Sequence, residues 1–170
     1  MMAPRLRQFA LTLHVASSVG LLGTIAAFLA LVVAGLTSQD APMVRAAYLA
    51  MPLIARFVIV PLTLASLLTG LVQSLGTAWG LFRHYWVLVK LLLTAFAAMV
   101  LLLKIELIDD AARLATAATL PRAELHAAGI QLALHAIGGL LVLLVPTILS
   151  VYKPPGLTRY GWRKQHEEAA

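Results

Sequence analysis

Four long apolar runs constrain this chain more than any other feature. Each run holds between zero and three charged side chains, and the runs are residues 9–36, 46–82, 84–108 and 125–152. A helix that spans hydrocarbon needs about 20 apolar residues, and the bilayer core offers no partner for exposed backbone groups. We therefore predict an all-α integral membrane protein, with four transmembrane helices near residues 7–36, 47–75, 84–108 and 124–151.

The composition agrees with a membrane protein. Hydrophobic residues make up 61% of the 170 residues, whereas soluble domains are about 45–50% apolar. The chain has no cysteine, which excludes disulfides and thiolate metal sites. The net charge is +6, but the charges lie at the ends of the apolar runs, as membrane flanks do. We therefore expect the lipid bilayer as partner and no nucleic acid.

The connections between the runs are short, which predicts antiparallel neighbours and an up-down bundle in residues 1–152. Residues 153–170 form a basic tail. Seven Lys and Arg residues lie on the side of the termini and three on the other side, so the positive-inside rule places both termini in the cytoplasm. The tail is then expected to contact anionic lipid headgroups. The spacing of Gly76 and Gly80 leaves a homo-oligomer open.

One arginine interrupts an apolar run. Arg56 lies nine residues into the second predicted helix, at a depth of about 13 Å from the helix rise. Since a charge at such a depth is costly, it should face the bundle interior and a partner. His135 and Gln131 on the fourth helix lie at a matching depth, and Glu106 offers a counter-charge. Snorkelling of Arg56 to the headgroups is the alternative.

A second polar level is predicted nearer the cytoplasmic side. His14 in the first helix, Gln73 in the second and Lys90 in the third lie at comparable depths, and His84 lies at the membrane edge. Trp86 precedes Lys90 by one turn, so it either stacks on Lys90 or anchors the helix at the interface. These residues are candidate ligand contacts, or simply ties between helices.

Three segments carry a family resemblance. They are "RFVIVPLTLASLLTGLVQSLGTAWGLFRHYWVLVKLLL" (56–93), "LHVASSVGLLG" (13–23) and "KPPGLTRYG" (153–161). Together they resemble the membrane domain of copper-resistance protein D-like proteins, and small four-helix bacterial membrane proteins of unknown function. The resemblance implies a protein of the bacterial cytoplasmic (inner) membrane. It covers most of the chain, and its matching positions are His14, Arg56, Trp86 and Lys90. The methionines are scattered, unlike a Met-rich copper importer.

Three functions remain open from the sequence. The first is a haem b- or metal-binding protein linked to membrane redox chemistry, with His14, His135 and His84 as candidate ligands. The second is a transporter or binder of a small anionic or lipid-like ligand, anchored by Arg56. The third is an accessory membrane protein without chemistry of its own. No serine-histidine-acid set, HExxH pattern or phosphate loop is present.

Overall fold

The structure, a computed structural model, describes residues 3–76, 81–152 and 156–167. It confirms four helices that are long and apolar enough to cross a membrane: Pro4–Thr37, Ala41–Gly76, Tyr85–Ala115 and Arg122–Tyr152. No strand occurs within these described ranges. Residues 77–80, which include Trp79 and the second glycine of the GxxxG spacing, lie outside them, as do Lys153 and both prolines of the tail.

Two of the four spans are irregular, so the elements outnumber the spans. They are α1 (Pro4–Thr37), α2 (Ala41–Ile54), a π segment (Ala55–Ile59), α3 (Val60–Gly76), α4 (Tyr85–Leu103), α5 (Ile105–Ala115), α6 (Arg122–Tyr152) and α7 (Arg159–Glu167).

The second span begins six residues before the predicted start at 47. Asp40 caps it, because its carboxylate accepts a hydrogen bond from the backbone N–H of Met43 at 3.3 Å. Pro42 occupies the first turn, where its missing N–H costs nothing. The residues before the predicted start at 47 are therefore a helix start signal followed by helix.

The π segment lies between two prolines, Pro52 and Pro61. The N–H of Val60 bonds to the carbonyl of Ala55, five residues back. Pro61 lacks an N–H, and a proline ring clashes with the carbonyl four residues earlier, here that of Phe57. A wider turn accommodates this defect without ending the span, as π-bulges commonly do.

The third span is interrupted at Lys104, whose backbone has φ −103° and ψ 4°. Its N–H is shared between the carbonyls of Val100 and Leu101, and α5 then continues to Ala115. The predicted end of the third helix near residue 108 is therefore wrong, because the helical span continues to Ala115. The charged residues of α5 occupy one face, while Ala111 and its apolar neighbours are buried on the other, as in any amphipathic helix.

The helices meet closely at the end of the molecule that holds the 37–41 and 115–122 connections, which we call the loop end. Tyr48 is 0% exposed, and its hydroxyl donates to the carbonyl of Leu125 at 2.8 Å. Gly35 and Gly129 make room for its ring: a Cβ on Gly129 would lie 2.5 Å from the Tyr48 oxygen. The contact joins α1, α2 and α6.

Two arginines donate hydrogen bonds to backbone carbonyls at helix ends in this region. Arg45 donates to the carbonyls of Ala115 at 2.7 Å and Ala118 at 3.1 Å, just where α5 ends. Arg122 donates to the carbonyl of Gln39 at 2.8 Å, beyond the end of α1. A cation at a helix C-terminus satisfies carbonyls that have no partner in the helix and complements the dipole.

Candidate functional site

Arg56 lies in the π segment and forms an ion pair with Asp109 of α5. Our expectation that it faces His135, Gln131 and Glu106 is therefore wrong. Its side chain is 52% exposed and that of Asp109 is 26% exposed, so the pair lies at the surface of the bundle. The counter-charge comes from the segment that we had placed in a loop.

The length of the second span explains why a charge is tolerated there. Arg56 follows Ala41 by 56 − 41 = 15 residues, about 22 Å, and precedes Gly76 by 76 − 56 = 20 residues, about 30 Å. A hydrocarbon core is about 30 Å thick. An apolar layer of this thickness that begins at Gly76 thus ends at Arg56. The sequence instead predicts that the layer extends about 13 Å beyond Arg56, toward the start of the helix.

The same measurement applies to the third span. Lys104 follows Tyr85 by 104 − 85 = 19 residues, about 28 Å. The break between α4 and α5 therefore lies about as far from the start of its span as Arg56 lies from the end of the second span. We name Arg56, Lys104 and Asp109 the charged rim.

A cavity of about 350 Å³ lies next to the rim, on the side away from the loop end. Six elements and Lys104 contribute to it. Its lining residues are Leu21, Ile25 and Phe28 of α1; Ile59 and Thr63; Phe96, Ala97, Val100 and Leu101 of α4; Lys104 and Ile108; and Leu132, Leu134, His135, Ala136, Gly138, Gly139, Val142 and Leu143 of α6. Phe96 of α4 and Leu134 of α6 line it and are 52% and 65% exposed, so the cavity is open at these two helices. We call it the apolar groove.

Only three lining residues are polar: Thr63, Lys104 and His135. The Thr63 hydroxyl donates to the carbonyl of Ile59 at 2.7 Å and is therefore satisfied within its own helix. The Lys104 side chain is exposed and makes no ion pair with any described residue. The polar chemistry of the groove is thus concentrated in Lys104 and His135.

His135 has a defined hydrogen-bond direction. Its Nδ1 lies 2.6 Å from the carbonyl oxygen of Gln131. A carbonyl can only accept, so Nδ1 carries the proton, and Nε2 keeps a lone pair when the ring is neutral. Gln131 therefore contributes its backbone, while its side chain is exposed.

Two glycines leave the groove empty on the α6 side. A Cβ placed on Gly138 or on Gly139 would meet no atom within 4 Å. Small residues on membrane helices usually permit close helix contact. Here they provide open volume instead.

The predicted second polar level ties α1 to α3. His14 Nδ1 lies 3.0 Å from the hydroxyl of Thr69, which gives its own proton to the carbonyl of Ala65, so the histidine is the donor. Gln73 donates to the carbonyl of Ala10 at 2.9 Å. Both side chains therefore act at a helix–helix interface, outside the apolar groove.

The stacking of Lys90 on Trp86 is confirmed. The Lys90 ammonium lies 4.9 Å from the centre of the Trp86 ring and donates to the Ser150 hydroxyl at 2.8 Å, which joins α4 to α6. His84 precedes α4, and its ring centre is 6.1 Å from that of Trp86.

The structure thus places the three candidate histidine ligands at three separate positions. His14 lies between α1 and α3, His84 at the start of α4, and His135 in the apolar groove. Among the described residues, no group of three or more His, Asp or Glu side chains is placed to hold a metal ion.

Neither a family model, nor a curated protein, nor a solved structure matches this chain. The resemblance to copper-resistance protein D-like proteins therefore stays a prediction. Of the residues that the sequence analysis singled out, His135 alone lines the groove. Lys104 was visible as a charge in an apolar run, but nothing in the pattern distinguished it from a flanking residue.

Proposed function

We propose that the chain is a multi-pass protein of the bacterial cytoplasmic membrane that binds one amphiphilic, lipid-like molecule. In this proposal the four spans form an antiparallel up-down bundle, which the short connections support, and both termini lie in the cytoplasm, which the Lys and Arg distribution supports. The apolar chain of the ligand occupies the apolar groove, and its anionic head meets Lys104 at the charged rim. The observation that carries this proposal is an apolar groove of about 350 Å³ with a cation at one end.

The size and position of the groove support such a ligand. Small-molecule sites usually have volumes of about 300–1,000 Å³ and apolar walls with a few polar groups. The groove is open at α4 and α6, so a molecule dissolved in the bilayer can enter sideways. Its cationic end lies at the level where an apolar layer of about 30 Å ends, which is where a lipid head resides.

The ligand must be distinguished from bulk lipid mainly through its head group. Lipid tails already solvate an apolar chain, so moving that chain into the groove gains little hydrophobic free energy. Shape and the charged contact must then distinguish the ligand from bulk lipid. Arg56 is paired with Asp109, so its role in this proposal is to hold α5 against the π segment, while Lys104 supplies the charge.

Binding can be measured with a fluorescent fatty acid and its matching fatty alcohol, on the protein in nanodiscs. Gly139→Leu should fill the groove and weaken the binding of both probes. Lys104→Gln should weaken the acid by about tenfold, the value of one charged hydrogen bond, and leave the alcohol unchanged.

Gly23→Leu is the matched control, because a Cβ at Gly23 also meets no atom within 4 Å and Gly23 does not line the groove. Equal binding by the wild type and Gly139→Leu would contradict the proposal. Absence of probe binding to the wild type would favour the accessory protein without a ligand.

Haem b is a second candidate occupant of the same groove, and His135 favours it. Metal-ligating histidines commonly donate their other ring nitrogen to a backbone carbonyl, as His135 does to Gln131. His14 and His84 lie elsewhere, so His135 would be the one histidine from this chain to hold the iron. Bound haem would supply one-electron chemistry.

An absorption spectrum of the purified protein, first oxidised and then reduced with dithionite, tests this candidate. A Soret band that shifts on reduction and is lost in His135→Ala, but kept in His14→Ala, would establish it. A colourless protein from haem-replete cells would exclude haem and leave the amphiphile.

A further inference from the structure

The segment 156–161 is docked against the residues that precede α4. The N–H of Tyr85 donates to the carbonyl of Gly156 at 3.3 Å, and the N–H of Thr158 donates to the carbonyl of Arg83 at 2.9 Å. Leu157 and His84 form an isolated antiparallel bridge. We call segment 156–158, which immediately precedes α7, the clasp.

Thr158 connects the clasp to α7. Its hydroxyl donates to the carbonyl of Phe82 and accepts from the N–H of Gly161 at 3.0 Å, the contact expected of an N-cap residue. Thr158 is buried. The first turn of α7 is therefore fixed both to the clasp and to the segment before α4.

Gly161 sets which face of α7 points inward. A Cβ at this position would overlap the carbonyl oxygen of Arg83, so no other residue fits without movement. Residues of a helix are separated by about 100°. Arg159 and Arg163 therefore lie on the side opposite Gly161, with Tyr160 and Trp162 flanking them, and all four side chains are exposed.

We propose that this outer face of α7 binds anionic lipid headgroups of the leaflet nearest the chain termini. Guanidinium groups pair with phosphate through two parallel hydrogen bonds, and Tyr and Trp favour the headgroup region. The clasp holds α7 beside Tyr85, the first residue of an apolar span, so the face lies where headgroups are found. This inference is independent of the apolar groove.

The test uses the full chain in nanodiscs, with Trp79→Phe and Trp86→Phe so that fluorescence reports Trp162. Brominated phosphatidylglycerol and brominated phosphatidylcholine are compared at equal mole fractions. We expect stronger quenching by the brominated anionic lipid. Each arginine near an anionic surface contributes roughly a fivefold preference, so Arg159→Gln with Arg163→Gln should remove most of the difference.

Arg113→Gln is the control for each single variant, Arg159→Gln and Arg163→Gln, since each removes one charge and Arg113 is exposed on α5 near the loop end. Gly161→Val keeps both arginines but displaces α7, and it should also lower the preference. Equal quenching by the two brominated lipids, or an unchanged preference in the double arginine variant, would overturn the proposal. Loss of the preference on adding soluble glycerol phosphate would do so too, because it would identify a site for free phosphate. An unchanged preference in Gly161→Val would overturn the role of the clasp.

Discussion

Glycines at two places in α6 have opposite structural roles. At Gly129, a Cβ would lie 2.5 Å from the Tyr48 oxygen and 2.6 Å from a Leu36 methyl carbon. At Gly138 and Gly139, about two and a half turns further along, it would meet nothing within 4 Å. The first glycine is needed for close contact, and the other two preserve an open volume. Residue type alone therefore does not say whether a small side chain closes an interface or creates a cavity.

The difference divides the bundle into a closed region and an open one. The loop end is fastened by the buried Tyr48 hydroxyl and by the arginines that cap α1 and α5. The apolar groove lies beyond the charged rim, next to the two helix irregularities. A ligand site requires such a rigid frame around a preformed space.

Gly129→Leu should have the largest effect on stability. The added side chain would overlap Tyr48 and Leu36 in a region without free volume, and overpacking of this kind costs about 3 kcal/mol or more. We expect a large drop in the thermal unfolding midpoint of the detergent-purified protein. Gly23→Leu serves as the control, and a midpoint like that of wild type would show that the loop end is not closely packed.

Tyr48→Phe should have an intermediate effect. It keeps the ring but removes the hydrogen bond to the buried Leu125 carbonyl, which costs about 1–3 kcal/mol. Comparison with Gly129→Leu separates the hydrogen bond from the packing. A midpoint equal to that of wild type would mean that ring packing alone fastens α2 to α6.

Arg56→Leu tests the boundary between the two regions. Its ion pair with Asp109 is partly exposed, and such pairs contribute about 0–1 kcal/mol. We therefore expect a change in unfolding free energy of less than about 1 kcal/mol. A loss of several kcal/mol would indicate a buried pair and return Arg56 to the depth predicted from the sequence.

Gly139→Leu should have the smallest effect on stability. The side chain would enter the apolar groove, so we expect the unfolding free energy to stay within about 0.5 kcal/mol of the wild type. Stability is measured in the same detergent, with Gly129→Leu alongside it. A loss comparable to that of Gly129→Leu would mean that the groove is closed in solution.

The four spans could be predicted because their apolar runs exceed what a soluble domain can bury. The lengths of these helical spans could not be predicted. Asp40 and Arg45 made the start of α2 resemble a loop, and the charges of α5 hid a helix that buries its alanine face. A hydropathy pattern identifies the part of a helix that can lie in lipid. It does not identify the helical turns that continue beyond the lipid.

The site was less predictable than the fold. The partner of Arg56 is Asp109, and the pairing depends on how α5 packs against α2, which helical spacing within one segment cannot give. The apolar groove is likewise formed by six elements together. His135 was singled out as a polar residue of the fourth helix, but its hydrogen bond to the Gln131 carbonyl depends on the side-chain rotamer.

The clasp also has a consequence for the order of assembly in the cell. Its residues are synthesised after all four spans, yet they hold the backbone at the beginning of α4. α4 therefore enters the bilayer before the clasp is available to bind its first turn. Docking of the clasp is then a late step that marks a fully inserted bundle, and a ribosome-bound chain that stops before Gly156 would lack it.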